Sequence, residues 1–347
     1  MPRPLGLLPL SRSAVDRDGV SRTRESIFDD LLADESTRIL PLWNGRVLSD
    51  AVADSEQQPG DARERVRLRL FRTDEVTSAL TRVYLGRTIE DAPQEAAGTP
   101  VILAVLTDAA AGELEPDESA WRGLRDLATL LSDRDSGLVT EAVAIANWHA
   151  SHTHCPRCGT PTVVEHAGWM RRCFVDNNEI FPRTDPAVIM RVLDEEDRIL
   201  LGSNAMWENN RWSLLAGFVE AGESFESAVL REVEEESGVL VTDPQYLGSQ
   251  PWPFPASVMI GMEARAVPGH TQLRPDGEEI LALRWFSREE IWRERDDILL
   301  PGGSSIAHAI VRDWYGGPLD EPPAERAGQD DDVDATRERG SGRSDAA

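Results

Sequence analysis

Apolar residues run from Ala187 to Leu193, broken only by Arg191, and stop at the charged turn Asp194-Glu-Glu-Asp197. They resume in Arg198-Ile-Leu-Leu-Gly202. Apolar runs of this length between turn signals predict strands buried on both faces, here joined as a hairpin. Further strands are predicted at Arg211–Gly217, Tyr246–Ser249, Ser257–Val267 and Ile280–Phe286. Between them, Ser224–Ser237 carries Phe225, Val229 and Val233 four apart, the spacing of one helix face. Ser287 precedes Arg288-Glu-Glu in the pattern of a capping box, and Ser304–Trp314 reads as a final helix. This half therefore combines strands with helices, the apolar stripe of Ser224–Ser237 packing on the sheet.

The preceding stretch has its own pattern. Arg38–Trp43 reads as a strand entering a turn at Asn44-Gly45, and Arg65–Phe71 alternates with period two. Tyr84-Leu85 and Val101–Leu106 are further strands, the latter apolar enough to be central, and Trp121–Leu131 has a helical period. Glu141–Ala150 predicts a helix. The expected division is an arm over 1–25, an N-terminal α+β domain over 26–140, a helix and small hairpin over 141–182, a second domain over 183–317, and an acidic tail over 318–347. The N-terminal domain shows no catalytic constellation and reads as structural or dimer-forming. The tail lacks apolar periodicity and reads as disordered.

Composition narrows the function. The formal charge of −26 argues against a general nucleic-acid binder, which needs a basic footprint. No lysine occurs, so lysine is excluded as a base or phosphate ligand. No apolar run approaches the ~20 residues of a membrane span, and the short, proline-broken N-terminus does not resemble a signal peptide. The expectation is a soluble cytoplasmic protein. The three cysteines lie within 20 residues of one another, a spacing of metal ligands rather than of a secreted disulfide framework. Cys155-Pro-Arg-Cys158-Gly159 has the form of a zinc knuckle. The second half offers Cys173-Phe-Val-Asp176, so Asp176, His152 or His154 is the candidate fourth ligand of a closed, structural Zn²⁺ site.

The densest signal is Gly217-x5-Glu223-x7-Arg231-Glu232-Val233-x-Glu235-Glu236-x-Gly238-Val239. On a helix, Glu232, Glu235 and Glu236 crowd one patch near the C-terminal end, where they repel one another and oppose the helix dipole. Divalent cations resolve that conflict, and oxygen ligands suit Mg²⁺ or Mn²⁺. Arg231 is placed to hold a carboxylate bidentately. Gly217 and Gly222 permit a tight loop, and Gly238 ends the helix. Such a site fits hydrolysis of a pyrophosphate, whose charge must be neutralised while a carboxylate takes a proton from water.

This pattern resembles the Nudix box. The resemblance implies an α/β/α-sandwich Nudix fold, with Glu232 and Glu236 as metal ligands, the Ala216 carbonyl beside them, and Glu235 as ligand or base. Downstream lies Ser249-Gln-Pro-Trp-Pro-Phe-Pro-Ala-Ser257, a segment stiffened by alternating prolines. A zinc-ribbon-like hairpin, the box and this segment, in that order, are similar to the NAD(H) pyrophosphatases of bacterial NudC type. The resemblance covers about Trp148–Trp314. It implies hydrolysis of NAD(H) to AMP and nicotinamide mononucleotide, removal of NAD caps from RNA 5′ ends, and a homodimer. It also implies that Gln250, Pro251, Trp252, Pro253, Phe254, Pro255, Ala256 and Ser257 line the nucleotide site. Phe218 would stack on a base, with Phe181 from either chain; Ala307 would touch substrate; and Glu279, or its neighbour Glu278, would be the distal metal ligand. The alternatives are a Nudix hydrolase of another nucleoside diphosphate such as ADP-ribose, or a nucleotide-sensing module without catalysis.

Overall fold

The computed structural model describes residues 4–52, 66–93, 95–204, 206 and 210–323. Two sheets carry the molecule, with a three-stranded ribbon between them in the sequence.

The N-terminal sheet is ordered Val15–Asp16, Thr81–Thr88, Pro100–Val105, Arg38–Trp43, Arg46–Ala51, Val66–Leu68. Pro100–Val105 lies between two neighbours and pairs in parallel with Arg38–Trp43, Ile39 opposite Ile102, as its unbroken apolar run requires. Three expectations are corrected here. Trp121–Gly123 is a strand on the edge of Arg46–Ala51, and only Leu124–Leu127 is helical: the buried Trp121 pairs with Leu48 rather than starting a helix. The run after Val66 splits into Val66–Leu68 and Phe71–Arg72, which pair with different strands. The helix expected from Glu141 starts eight residues earlier, at Asp133, because the Ser132 side chain caps it through the Asp135 N–H.

The second sheet is ordered Val241–Trp252, Ser257–Ala266, Asp185–Leu193, Ile199–Asn204, Ile280–Phe286, with Leu215–Phe218 also paired to Asp185–Leu193. Asp185–Leu193 and Ser257–Ala266 run parallel, Val188 opposite Ile260. Strand geometry sends alternate side chains to opposite faces. Val188, Met190 and Val192 accordingly pack with Ala228, Val229 and Val233 of helix Phe225–Ser237. Ile189 and Leu193 pack with Ile306, Ile310 and Val311 of helix Ile306–Tyr315. This is the expected α/β/α sandwich. The capping box at Ser287 is present, and Gly238 ends the box helix in the left-handed conformation. One detail differs: Phe225 is exposed, and Ala228 takes its place on the apolar stripe beside Val229 and Val233.

Residues 5–12, expected within an arm, are packed against both domains. Leu8 is buried against Ile306 and Ile310 in the second domain, whereas Leu10 is buried against Leu127 and Leu131 in the first. The buried Arg12 guanidinium donates to the carbonyls of Ala128 and Leu131 and to Asp133. The polar, arginine-rich composition concealed this because the burial rests on two leucines and one saturated arginine. At the other end, Leu319 packs on the second core; residues 324–347, the greater part of the expected tail, lie outside the described residues. Among the described residues no helix is long and apolar enough to cross a membrane.

Candidate active site

The box folds into a strand, a loop and a helix that converge on one carboxylate cluster. Leu215–Phe218 is held by pairing with Asp185–Leu193, which fixes Ala216 opposite Ile189. The Ser224 hydroxyl caps the helix at the Ser227 N–H. From that helix Arg231 reaches back over the loop. Its Nε and Nη2 donate to the two Glu223 oxygens at 2.9 and 2.8 Å, and Nη2 also donates to the Phe218 carbonyl at 2.9 Å. The remaining Nη1 holds Glu232 at 2.8 Å. Hydrogen bonds from Arg231 and from the Glu220 N–H keep the Glu223 carboxyl down at about 2. Arg231 therefore ties the loop to the helix and aims Glu232, a positioning function.

The glutamates are not alike. Glu235 is the outermost, its side chain 64 % exposed. Glu236, expected on an exposed patch, is only 5 % exposed, and its Oε2 has no hydrogen-bond partner among the described residues. Burial, followed by the charges of Glu232 and Glu279, pushes its carboxyl up to about 8. Burial likewise raises Glu232. A buried carboxylate oxygen without a donor is costly unless a cation supplies the missing partner. Glu279 faces the same place and accepts from Asn204 Nδ2 at 3.3 Å. The Asp276 carboxylate accepts the backbone N–H groups of Glu278, Glu279 and Ile280 at 2.9, 3.1 and 2.9 Å, which fixes the turn that presents Glu279.

Glu236 and Glu279 border a cleft of about 660 Å³, lined also by Ala216, Trp252 and Ala307 among the residues expected at the site; Glu232 and Glu235 are not in its lining. Glu278 does not line it. The proline-rich segment divides its members. Trp252 faces the cleft, edge-on to Phe254 with ring centroids 4.9 Å apart. Phe254 turns to a neighbouring cavity shared with the N-terminal domain. Pro251 sits in the strand ladder opposite Val258, and Ser257 opposite Trp252. The Pro253 and Pro255 carbonyls accept from Asn147 Nδ2 at 2.9 and 3.1 Å, and the Ala256 carbonyl accepts from the Asp185 N–H at 2.8 Å. Gln250 does not reach the cleft: it is 0 % exposed, with both ends of its amide engaged elsewhere. Phe181 and Phe218 are 55 % and 60 % exposed and are not among the cleft-lining residues.

Sequence reasoning missed Arg125. This residue of the N-terminal domain lines the cleft, with its guanidinium 4.2 Å from the Phe254 ring centroid and 5.2 Å from that of Trp252. Nothing local marked it, since its place depends on how two domains pack. The loop Pro301–Ser305 was missed for the same reason.

The second candidate centre lies in the ribbon of strands Val163–Glu165, Met170–Arg172 and Glu179–Ile180. Ligand atoms of Cys155, Cys158, Cys173 and Asp176 all fall within 4.8 Å of one another. Cys158 and Cys173 sulfurs are 3.5 Å apart, and Cys155 sulfur is 3.4 Å from Asp176 Oδ2. Ligands at ~2.3 Å from a tetrahedral zinc stand at roughly these separations. The Gly159 N–H returns to the Cys155 carbonyl at 2.9 Å, closing the knuckle turn. His152 and His154 are outside this cluster; their Nδ1 atoms meet the hydroxyls of Ser151 and Thr153.

Three family models match consecutive parts of the chain: an NADH pyrophosphatase-like rudimentary NUDIX domain over 36–148, an NADH pyrophosphatase zinc ribbon domain over 150–181, and a NUDIX domain over 183–303. With the sandwich fold and the intact box, the chain is a Nudix-domain protein. More particularly, it carries the domain set of the NADH pyrophosphatases, a rudimentary Nudix domain and a zinc ribbon preceding the Nudix domain. It is 45 % identical over 201 residues to the NAD-capped RNA hydrolase NudC of Mycobacterium bovis BCG Pasteur, covering 55 % of this chain and 64 % of that one. It is 38 % identical over 198 residues to the human NAD-capped RNA hydrolase NUDT12, covering 53 % of this chain and 42 % of that one. The match thus spans somewhat less than two thirds of the mycobacterial relative and less than half of the human one.

Proposed function

We propose that the chain hydrolyses the pyrophosphate bond of NAD(H) to AMP and nicotinamide mononucleotide, and acts on the same bond in NAD-capped RNA 5′ ends. The observation that carries this reading is the buried, unpartnered Glu236 carboxylate at the edge of the cleft. Glu279 lies beside it, and Trp252 and Arg125 stand among the other walls. Mg²⁺ or Mn²⁺ held by Glu232, Glu236, Glu279 and the Ala216 carbonyl would neutralise the pyrophosphate and polarise phosphorus. The chain's own residues do the remainder. Arg231 holds Glu232 in place. Glu235, the most exposed of the three box glutamates, completes the shell or takes the proton from the attacking water. Arg125 supplies a cation for an anionic substrate, and the Trp252 ring offers a face for a planar base. NAD(H) is favoured over other dinucleotides by the domain set and by the names of the relatives.

Three thiolates and the Asp176 carboxylate would hold a structural Zn²⁺ that keeps the ribbon folded. Phe181 and Phe218 present exposed aromatic faces, and we assign them to the contact between two copies of the chain, where they complete base stacking. The test is incubation with NADH, NAD⁺ and ADP-ribose in Mg²⁺ or Mn²⁺ with identification of products. Release of AMP and nicotinamide mononucleotide is expected. An untouched NADH alongside cleaved ADP-ribose overturns the substrate assignment.

A further inference from the structure

Gln250 lies in the segment where the resemblance places substrate contacts, yet its side chain is fully buried and both ends of its amide are taken. The Oε1 accepts from the Leu10 N–H at 3.3 Å, and the Nε2 donates to the Ser304 carbonyl at 3.0 Å. Each end of the amide makes one hydrogen bond inside the protein, and the wholly buried side chain presents no surface to a nucleotide. Its two partners belong to different parts of the molecule. Ser304 is in the loop Pro301–Ser305, which lines the cleft and leads into the helix that carries Ile306 and Ala307, also in the cleft wall. The next residue, Ser305, caps that helix through the His308 N–H. Leu10 is in the N-terminal segment, at the point where the chain passes from one core to the other.

Residues 5–12 are anchored on both sides of that point. On the Nudix side the Leu5 N–H donates to the Leu247 carbonyl at 2.8 Å, and Leu8 is buried beside Ile306 and Ala307. On the other side the Pro9 carbonyl accepts from Ser136 Oγ at 2.9 Å. Leu10 enters the N-terminal core, and Arg12 closes the segment on Ala128, Leu131 and Asp133. Leu127 and Ala128 follow Arg125 within three residues, in the same turn of chain that puts Arg125 into the cleft.

We propose that Gln250 is a positioning residue and residues 5–12 a strap: the amide transmits the seating of the strap to the loop Pro301–Ser305, and so sets the distance between the Nudix wall of the cleft and the wall that carries Arg125. Buried amides with both ends paired fix a geometry, because losing either bond leaves an unpaired polar group in the core. The inference concerns the site of the proposed NAD(H) hydrolysis, but its structural arm does not depend on which nucleotide is cleaved.

The test compares Gln250→Met, which keeps the shape and loses both bonds, with Arg12→Ala, which releases the strap without touching a cleft-lining residue. Hydrogen exchange is read at the amides of residues 302–308 in the full chain. Both variants are expected to raise exchange there by about tenfold, and the double variant by no more than the larger single effect, as coupled sites do. With whichever substrate the wild type cleaves, KM is expected to rise about tenfold while kcat changes less than about threefold. Exchange at 302–308 unchanged in Arg12→Ala overturns the inference, as do additive effects. A loss of thermal stability with KM unmoved reduces Gln250 to a core residue. If the wild type leaves NADH intact, the substrate assignment fails while the exchange data still decide the strap.

Discussion

The Glu232 carboxylate occupies the space that a side chain on Gly217 would fill: a Cβ there would fall within the carboxylate itself. Glycine leaves room at this strand position for the Glu232 carboxylate, which is packed directly on the backbone. In Gly217→Ala the obstacle is the tip of one side chain, so the fold can yield by displacing Glu232 from its bond to Arg231 Nη1. We expect a stability change under about 1 kcal/mol and a loss in kcat on the order of 10²-fold, since a misplaced ligand costs transition-state stabilisation. Denaturant unfolding and steady-state kinetics on the same preparation check both. Full activity in this variant would show that Glu232 has no fixed role.

Glu236 is held near 8 by burial and by its acidic neighbours, well above its ordinary value. The sign follows from linkage. Folded protein binds this proton more tightly than unfolded chain does, so metal-free stability falls as pH rises from about 4.5 to about 8. Replacing Glu236 with Gln removes the penalty. At pH 9 without metal, Glu236→Gln is expected to be more stable than the wild type by about 2–3 kcal/mol, a discounted conversion of the shift. The two should converge near pH 4.5. Adding Mn²⁺ should raise the Tm of the wild type and not that of the variant, while turnover is lost. A variant less stable than wild type at pH 9 contradicts the account.

Much of this was legible in the chain. The box works from sequence because its constraints are local: Gly217, Arg231 and the glutamates lie on one strand–loop–helix unit, so spacing alone brings them together. Apolar runs likewise assigned the strands on both sides of Asp194–Asp197, the capping box marked the helix after Ser287, and the helix expected over Ser304–Trp314 spans Ile306–Tyr315. What failed depends on contacts distant in sequence. Trp121 carries a helical spacing but is claimed by an edge position beside Leu48. The Leu5–Arg12 segment has no period at all, and only packing against two cores orders it. Arg125 is one arginine among many until the N-terminal domain turns it toward Trp252. The burial of Gln250 was equally illegible, because it depends on Leu10 and Ser304, both far from it in the sequence.

The ribbon offers a test of its fourth ligand. Cys155, Cys158 and Cys173 with Asp176 converge within 4.8 Å, and the histidines nearby do not join them. We expect one zinc per chain by elemental analysis of wild type, retained in a His152→Ala, His154→Ala double variant and reduced in Asp176→Ala. Cys173→Ser should lose the metal and lower the Tm, since the Cys173 thiol is buried in the first core cluster. Chelation of the zinc should unfold the ribbon before the sandwich. Zinc retained at full occupancy in Asp176→Ala excludes the carboxylate as a ligand.

Glu141 gives a prediction independent of both centres. It sits inside helix Asp133–Ser151 with its carboxylate almost wholly buried, and Oε1 has no hydrogen-bond partner among the described residues. Arg17 and Arg22 approach only to 3.8 Å. Burial outweighs their attraction and pushes the carboxyl up to about 7. The protonated form is thus favoured in the folded state, and the contribution of Glu141 to stability declines as pH rises from about 4.5 to about 7. A Gln in its place cannot ionise. Glu141→Gln is therefore expected to match the wild type below pH 4.5 and to exceed it by about 1–2 kcal/mol at pH 8, part of the full conversion because the exposed Arg17 is screened. Urea unfolding at pH 4.5, 6 and 8 measures the difference. If the gap between the two proteins does not open as pH rises, or opens in favour of the wild type, the two arginines stabilise the charged form and Glu141 is an ordinary buried ion pair.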